Sequence, residues 1–285
     1  GSDETGTMAT VQNGDLIRIK ADSGVADSCV RTYVSLGKHT DGFGISTETL
    51  LVSEKGNFNT PDNTNAVWLD ETYIYVADGT SGIRAYTFDG TTFTEEGSFN
   101  TPGVARMVWG DGTYIYIADA SSGVRAYTFD GTTFTEEGSF NTPGDARGVW
   151  GDGTYIYVAD HGSGVRAYTF DGTTFTEEGS FNTPGSARGV RGDGTYIYVA
   201  DATSGIRAYT FDGTTFTEEG SFNTPDIARN IWIDNRFIYV ADAASGVRAY
   251  TFDGTTFTEE GSFNTPDIAY NVWGDGIYIY VADET

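Results

Sequence analysis

The residues able to do acid–base or metal chemistry are few and poorly placed. His39 and His161 are the only histidines and belong to different sequence contexts, so no pair at metal-ligand spacing exists. There is no glycine-rich phosphate loop and no Gly-x-Ser-x-Gly elbow. The many aspartates fall in turns as Asp-Gly pairs, where backbone geometry already explains them. No Asp-x-Asp-x-Asp-Gly calcium loop occurs, although acids near a central axis would leave room for a structural calcium. Cys29 is alone, which excludes internal disulfides and thiolate metal cages. No catalytic residue and no cofactor is expected. The candidate residues are instead ones that could hold a ligand, and their placement follows from the chain's period.

All six prolines, Pro61 to Pro266, fall 41 residues apart. Phe-Asp-Gly-Thr-Thr-Phe-Thr-Glu-Glu-Gly-Ser-Phe-Asn-Thr-Pro occurs verbatim five times, starting at Phe88, Phe129, Phe170, Phe211 and Phe252. A Tyr-Ile-Tyr-Val-Ala-Asp string or close variant ends six times, at Asp78, Asp119, Asp160, Asp201, Asp242 and Asp283. Each unit parses into four strands. In one copy these are Ala146 to Trp150, Tyr155 to Ala159, Val165 to Phe170 and Thr173 to Phe181, with Asp171-Gly172 as a hairpin turn. Repeated four-stranded units of this length predict an all-β chain, a six-bladed β-propeller over residues 40–285.

The ends are uneven. The sixth unit stops after its second strand, so the missing strands are expected upstream: residues 50–58 as the fourth and, as a weaker match, 41–47 as the third. Such an exchange closes a propeller ring and removes an open sheet edge. Residues 1–39 form an N-terminal β extension with strands at 16–21 and 30–36. Gly1-Ser2 reads as a processed end, and the abrupt termini fit a piece of a longer chain.

Because the units repeat, the copies can be compared with one another. Gly-Asp-Gly and Phe-Asp-Gly-Thr-Thr-Phe turns hardly change, whereas the link after Asn-Thr-Pro and the loop after Val-Ala-Asp differ in every unit. In a four-stranded blade those two connections emerge on one face and the constant turns on the other. Asn65, Arg106, Arg147, Arg188, Arg229 and Tyr270 would then ring the channel mouth, joined by Met107, His161 and Asn271. Loops that tolerate drift are the bland explanation, but drift would have touched both faces.

Two other sets read as structural. Trp68, Trp109, Trp150, Trp232 and Trp273 share one repeat position, with Arg191 in the sixth copy. They could be sugar-stacking platforms, but packing between blades is preferred, which leaves Arg191 in need of an acidic partner or a route to solvent. Arg84, Arg125, Arg166, Arg207 and Arg248 lie beside Glu pairs such as Glu177-Glu178, as cross-strand ion pairs worth well under ~1 kcal/mol each if exposed.

Composition narrows the partners. With 16 Lys and Arg against 41 Asp and Glu, the net charge is −25, which repels nucleic acid and anionic membrane surfaces. No apolar stretch approaches the ~18 residues of a membrane helix.

Ala187-Arg188-Gly189-Val190, Tyr196-Ile197-Tyr198-Val199-Ala200-Asp201 and Ser204-Gly205-Ile206-Arg207 resemble the LVIVD-type repeat, which builds propellers in bacterial surface proteins. The wording around Trp-Gly-Asp-Gly-Thr-Tyr and Arg-Ala-Tyr-Thr-Phe looks like repeats in structural proteins of tailed viruses. The segment from Val11 through Thr47 is similar to the end of a small β-sandwich module of exported and viral proteins. The resemblance implies an extracellular, cell-surface or virion location and no catalytic signature. Three readings follow. One is a non-catalytic propeller binding a glycan or surface protein. Another is a homo-oligomer or filament subunit linked by its N-terminal strands. The last is a calcium-dependent lectin or hydrolase.

Overall fold

A computed structural model describes residues 15–21, 53–275 and 278–283, the backbone alone for 15–21 and 53–56, and every element in it is a strand. β1 (Asp15–Ala21) and β2 (Ser53–Thr60) precede the repeats. The first unit holds β3 (Ala66–Leu69), β4 (Ile74–Ala77), β5 (Ile83–Phe88) and β6 (Phe93–Phe99). The second holds β7 (Met107–Gly110), β8 (Ile115–Ala118), β9 (Val124–Phe129) and β10 (Phe134–Phe140). The third holds β11 (Gly148–Gly151), β12 (Ile156–Ala159), β13 (Val165–Phe170) and β14 (Phe175–Phe181). The fourth holds β15 (Gly189–Gly192), β16 (Ile197–Ala200), β17 (Ile206–Phe211) and β18 (Phe216–Phe222). The fifth holds β19 (Asn230–Ile233), β20 (Ile238–Ala241), β21 (Val247–Phe252) and β22 (Phe257–Phe263). β23 (Ala269–Gly274) and β24 (Ile279–Asp283) end the chain as a two-stranded sheet.

Each full unit is an antiparallel meander in chain order. The register follows the turns: Gly148 pairs with Ala159, Ile156 with Tyr168, and Phe170 with Phe175. A bulge between Ala167 and Tyr168 leaves Glu178 without a ladder partner, and its side chain accepts a hydrogen bond from Thr169 Oγ1 at 2.6 Å. The first strand is shorter than expected because Ala146 pairs outward, with Ala120 of the unit before.

Core residues lie between units. Tyr127, fully buried, packs against Phe99 of the preceding unit at 5.3 Å between ring centroids. Phe58 of β2 meets Tyr86 in the same way at 4.9 Å, so β2 holds the station that a fourth strand holds before each later unit. β2 overlaps the fourth strand expected over residues 50–58, but its ladder partner among the described residues is β1, from the segment expected to form a separate extension; residues 30–36 and 41–47 lie outside the described residues. β1 runs parallel to β2, and among the described residues no ladder joins either to β24.

Four of the five tryptophans pack between units. Trp109 stacks on Tyr116 of its own unit at 5.5 Å, and any side chain at Gly151 of the next unit would begin 2.6 Å from its Cη2. Trp68 and Gly110, Trp150 and Gly192, and Trp232 and Gly274 make the same joint. In the fourth unit Arg191 replaces the tryptophan, and Ile233 replaces the facing glycine. No carboxylate pairs with Arg191 among the described residues, and burial alone lowers its pKa. Where the repeats run out, Trp273, Val67 and Leu69 are 52%, 42% and 47% exposed, against 9% for Trp232.

The third-strand arginines are not exposed pairs. Arg125 Nε donates to Asp119 at 3.1 Å, its Nη1 donates to Glu136 at 2.9 Å, and Asp119 is fully buried. Thr101 Oγ1 (2.6 Å) and Gly103 N (2.9 Å) also donate to Asp119, so this carboxylate ties the incoming link to its unit. Burial pushes the Asp119 carboxyl up from the usual range, against these donors and Arg125. The value of well under ~1 kcal/mol for an exposed pair therefore does not apply, since breaking a buried pair strands a charge.

Candidate functional site at the varied face

Both varied stretches meet on one face because they are bonded to each other across units. His161 N donates to Ala187 O and Ala187 N to His161 O, each at 3.0 Å. Equivalent bridges join Gly79 to Ala105, Ala120 to Ala146, Ala202 to Ala228 and Ala243 to Ala269. The loop residue of each bridge has a left-handed backbone, with φ of 47° at His161 and 49° at Ala120. That conformation disfavours a Cβ, and the bridge holds it in place.

The residue after each bridging alanine opens the innermost strand. Arg106 N donates to Ala118 O, and Arg147, Arg188 and Arg229 repeat this contact at 2.8 Å. Four arginines are therefore carried at the same station of four consecutive units, all half-buried. Arg188 has its pKa lowered by burial and then by Arg147, Arg229 and Arg106, so Arg188 lies within electrostatic reach of the other three cations. His161 belongs to the same group. Burial lowers its pKa first, followed by Arg147 and Arg188, with Asp145 opposing.

Compensation is sparse. Arg147 pairs with Asp145 through Nε and Nη2, both at 3.1 Å. Arg229 lies over the ring of Tyr270, its guanidinium carbon 4.3 Å from the centroid. Nε of Arg106, Arg188 and Arg229 is buried and meets no acceptor among the described residues.

The remaining candidates serve the joints between units. Asn65 is exposed and donates from Nδ2 to Ala105 O at 2.8 Å. Met107 is half-buried and packs into two core clusters. Asn271 Oδ1 accepts from Asn230 Nδ2 at 2.6 Å, joining the last two innermost strands. Asn230 was not singled out from sequence, although it breaks the glycine run of Gly148 and Gly189 at its station.

On the opposite face the turn aspartates are fully occupied. Asp111 accepts from Thr113 N and Tyr114 N at 2.8 Å and from Tyr116 Oη at 2.9 Å. Among the described residues no group of three or more His, Cys, Asp or Glu is placed to hold a metal ion. Among the described residues no helix is long and apolar enough to cross a membrane.

The LVIVD repeat model matches five segments, residues 62–83, 102–124, 143–165, 184–206 and 226–247. No curated protein matches the sequence. Among solved structures, a putative 6-phosphogluconolactonase from Bacteroides fragilis aligns with a TM-score of 0.70 at 17% identity, over 87% of this chain and 86% of that one. The computationally designed Ika8 protein aligns at 0.61 and 7% identity, over 79% of this chain and 70% of its own. Chaetomium thermophilum Sqt1, solved bound to the N-terminus of ribosomal protein L10, aligns at 0.58 and 13% identity, over 74% and 65%. These identities make the likeness one of fold alone. The chain is an all-β protein of propeller type, built on LVIVD repeats.

Proposed function

We propose that this chain is a non-catalytic recognition propeller, displayed on a virus particle or a cell surface, that binds a glycan or a protein through its varied face. The observation that carries the reading is the contrast between faces: one repeats the same closed turns, and the other gathers Arg106, Arg147, Arg188, Arg229, His161 and Tyr270. Loops that differ from unit to unit around a repeated arginine, with the Nε groups of Arg106, Arg188 and Arg229 free of acceptors among the described residues, suit recognition better than scaffolding. The lactonase-like neighbour is only a fold relative, and no 6-phosphogluconolactone hydrolysis is expected of this chain. The test is a glycan and protein array probed with the wild type and with Arg147→Ala/Arg188→Ala/Tyr270→Ala. A hit lost in the triple variant supports the reading, and a blank array or a hit the variant retains refutes it.

A second reading, self-assembly, draws on the unmatched ends. Among the described residues Trp273 covers no following unit, and Leu69 is exposed at the station that Gly110 and Gly151 hold in later units, so both ends present apolar surface. If the last unit of one copy met the first unit of another, the contact would be head to tail and would propagate or close into a ring. Light scattering across a concentration series separates the cases: a constant monomer mass means closure within one chain, and a rising mass means linked copies.

A further inference from the structure

We propose that Arg106, Arg147, Arg188 and Arg229 form a binding site for a compact polyvalent oxyanion, a group presenting several carboxylate or phosphoryl oxygens close together. The inference rests on the recognition reading and gives its ligand a chemical class. Like charges at one station repel, and the chain has acids enough to prevent it, since Asp and Glu number 41. At the third strand it does so: Arg84, Arg125, Arg166, Arg207 and Arg248 each bind both a buried aspartate and a glutamate. At the mouth, among the described residues, only Arg147 has a carboxylate, and three buried Nε donors meet no acceptor. A guanidinium presents planar, paired donors that match carboxylate and phosphoryl oxygens in a fork. Tyr270 holds the Arg229 guanidinium over its ring and so limits where that fork points.

Compactness follows from the rest of the surface. The net charge of −25 repels a long polyanion, and at physiological salt attraction beyond ~8 Å is screened. The ligand's charge must therefore be concentrated around Arg188, within reach of the three arginines that act on it.

The test is calorimetric titration of the full chain at low salt with citrate, the carboxylate arm, and separately with tripolyphosphate, the phosphoryl arm. Wild type, Arg188→Gln and Arg236→Gln are compared; Arg236 lies in a turn of the opposite face beside Phe237. At least one probe binds the wild type, Arg188→Gln weakens it about tenfold or more, and Arg236→Gln leaves it unchanged. Without probe, Arg188→Gln melts no lower than the wild type, because removing one of four like charges relieves repulsion. The arm that binds names the oxyanion. The proposal is overturned if neither probe binds, or if Arg236→Gln weakens binding as much as Arg188→Gln. Probe binding with blank glycan and protein arrays would leave the oxyanion site standing and remove the recognition reading.

Discussion

The joint between the fourth and fifth units offers a quantitative check on how the blades hold together. Elsewhere a tryptophan fits only because the facing residue is glycine; any side chain at Gly192 would start 2.6 Å from Trp150 Cη2. Arg191→Trp alone therefore forces an indole against Ile233, an overpacking cost of about 1–3 kcal/mol. Ile233→Gly alone removes a half-buried side chain and adds strand entropy, at a cost of about 2–3 kcal/mol. The two together rebuild the standard joint, with an indole on Tyr198 as Trp150 lies on Tyr157 at 5.7 Å and 16°. Ring stacking adds about 0.5–1.5 kcal/mol beyond area burial. The double variant should thus equal or exceed the wild type, with a favourable coupling of about 3 kcal/mol or more. Urea unfolding of all four proteins, compared at a common m-value, measures it. Additivity within about 0.5 kcal/mol would refute the idea that residue and partner are chosen together.

Other perturbations test the remaining contacts. Arg125→Met should cost about 3 kcal/mol at neutral pH by stranding buried Asp119. Loss of the cation raises the carboxyl further, and a raised native pKa gives stability that is lost as pH rises, so the deficit should be smaller near pH 4; equal deficits would contradict this. Gly123→Ala places a Cβ against Phe140 O and 2.5 Å from Thr142 N at φ 76°, and its melting temperature should fall by several degrees, about 2 kcal/mol or more. Ala243→Gly, at φ 45°, should not destabilise. Burial pushes Tyr116, Tyr127, Tyr157, Tyr168, Tyr198 and Tyr209 far above the ordinary phenol value. Their protons are lost from the unfolded chain first, so stability should fall from about pH 10 upward, by up to about 1.4 kcal/mol per pH unit per tyrosine. Phenolate absorbance and far-UV circular dichroism should then change together; titration without unfolding would contradict it.

The strands were legible because turn residues and β formers recur in phase: β13 is Val165–Phe170, as the repeat reads. The Asp119 network was not legible. It joins a strand end to a link 16 to 18 residues earlier, and an aspartate closing a strand looks like any turn acid. That burial also turned the third-strand arginines from surface pairs into core ones. Arg191 stood out in the alignment of copies, but its partner Ile233 lies one unit later and one position on, visible only once Trp109 is known to reach Gly151. The arginine station was readable from the period, while the missing acceptors needed the third dimension.

The Arg191–Ile233 joint also bears on how such a chain can grow or shrink. Stretches identical from unit to unit invite unequal exchange, which copies or deletes whole 41-residue blocks. A block added between the first and second units would meet tryptophan-to-glycine seams on both sides. A block of the same kind added between the fourth and fifth would set its glycine against Arg191 and its tryptophan against Ile233. One mismatched pair of side chains therefore fixes the order of two neighbours, and new copies would accumulate away from that junction.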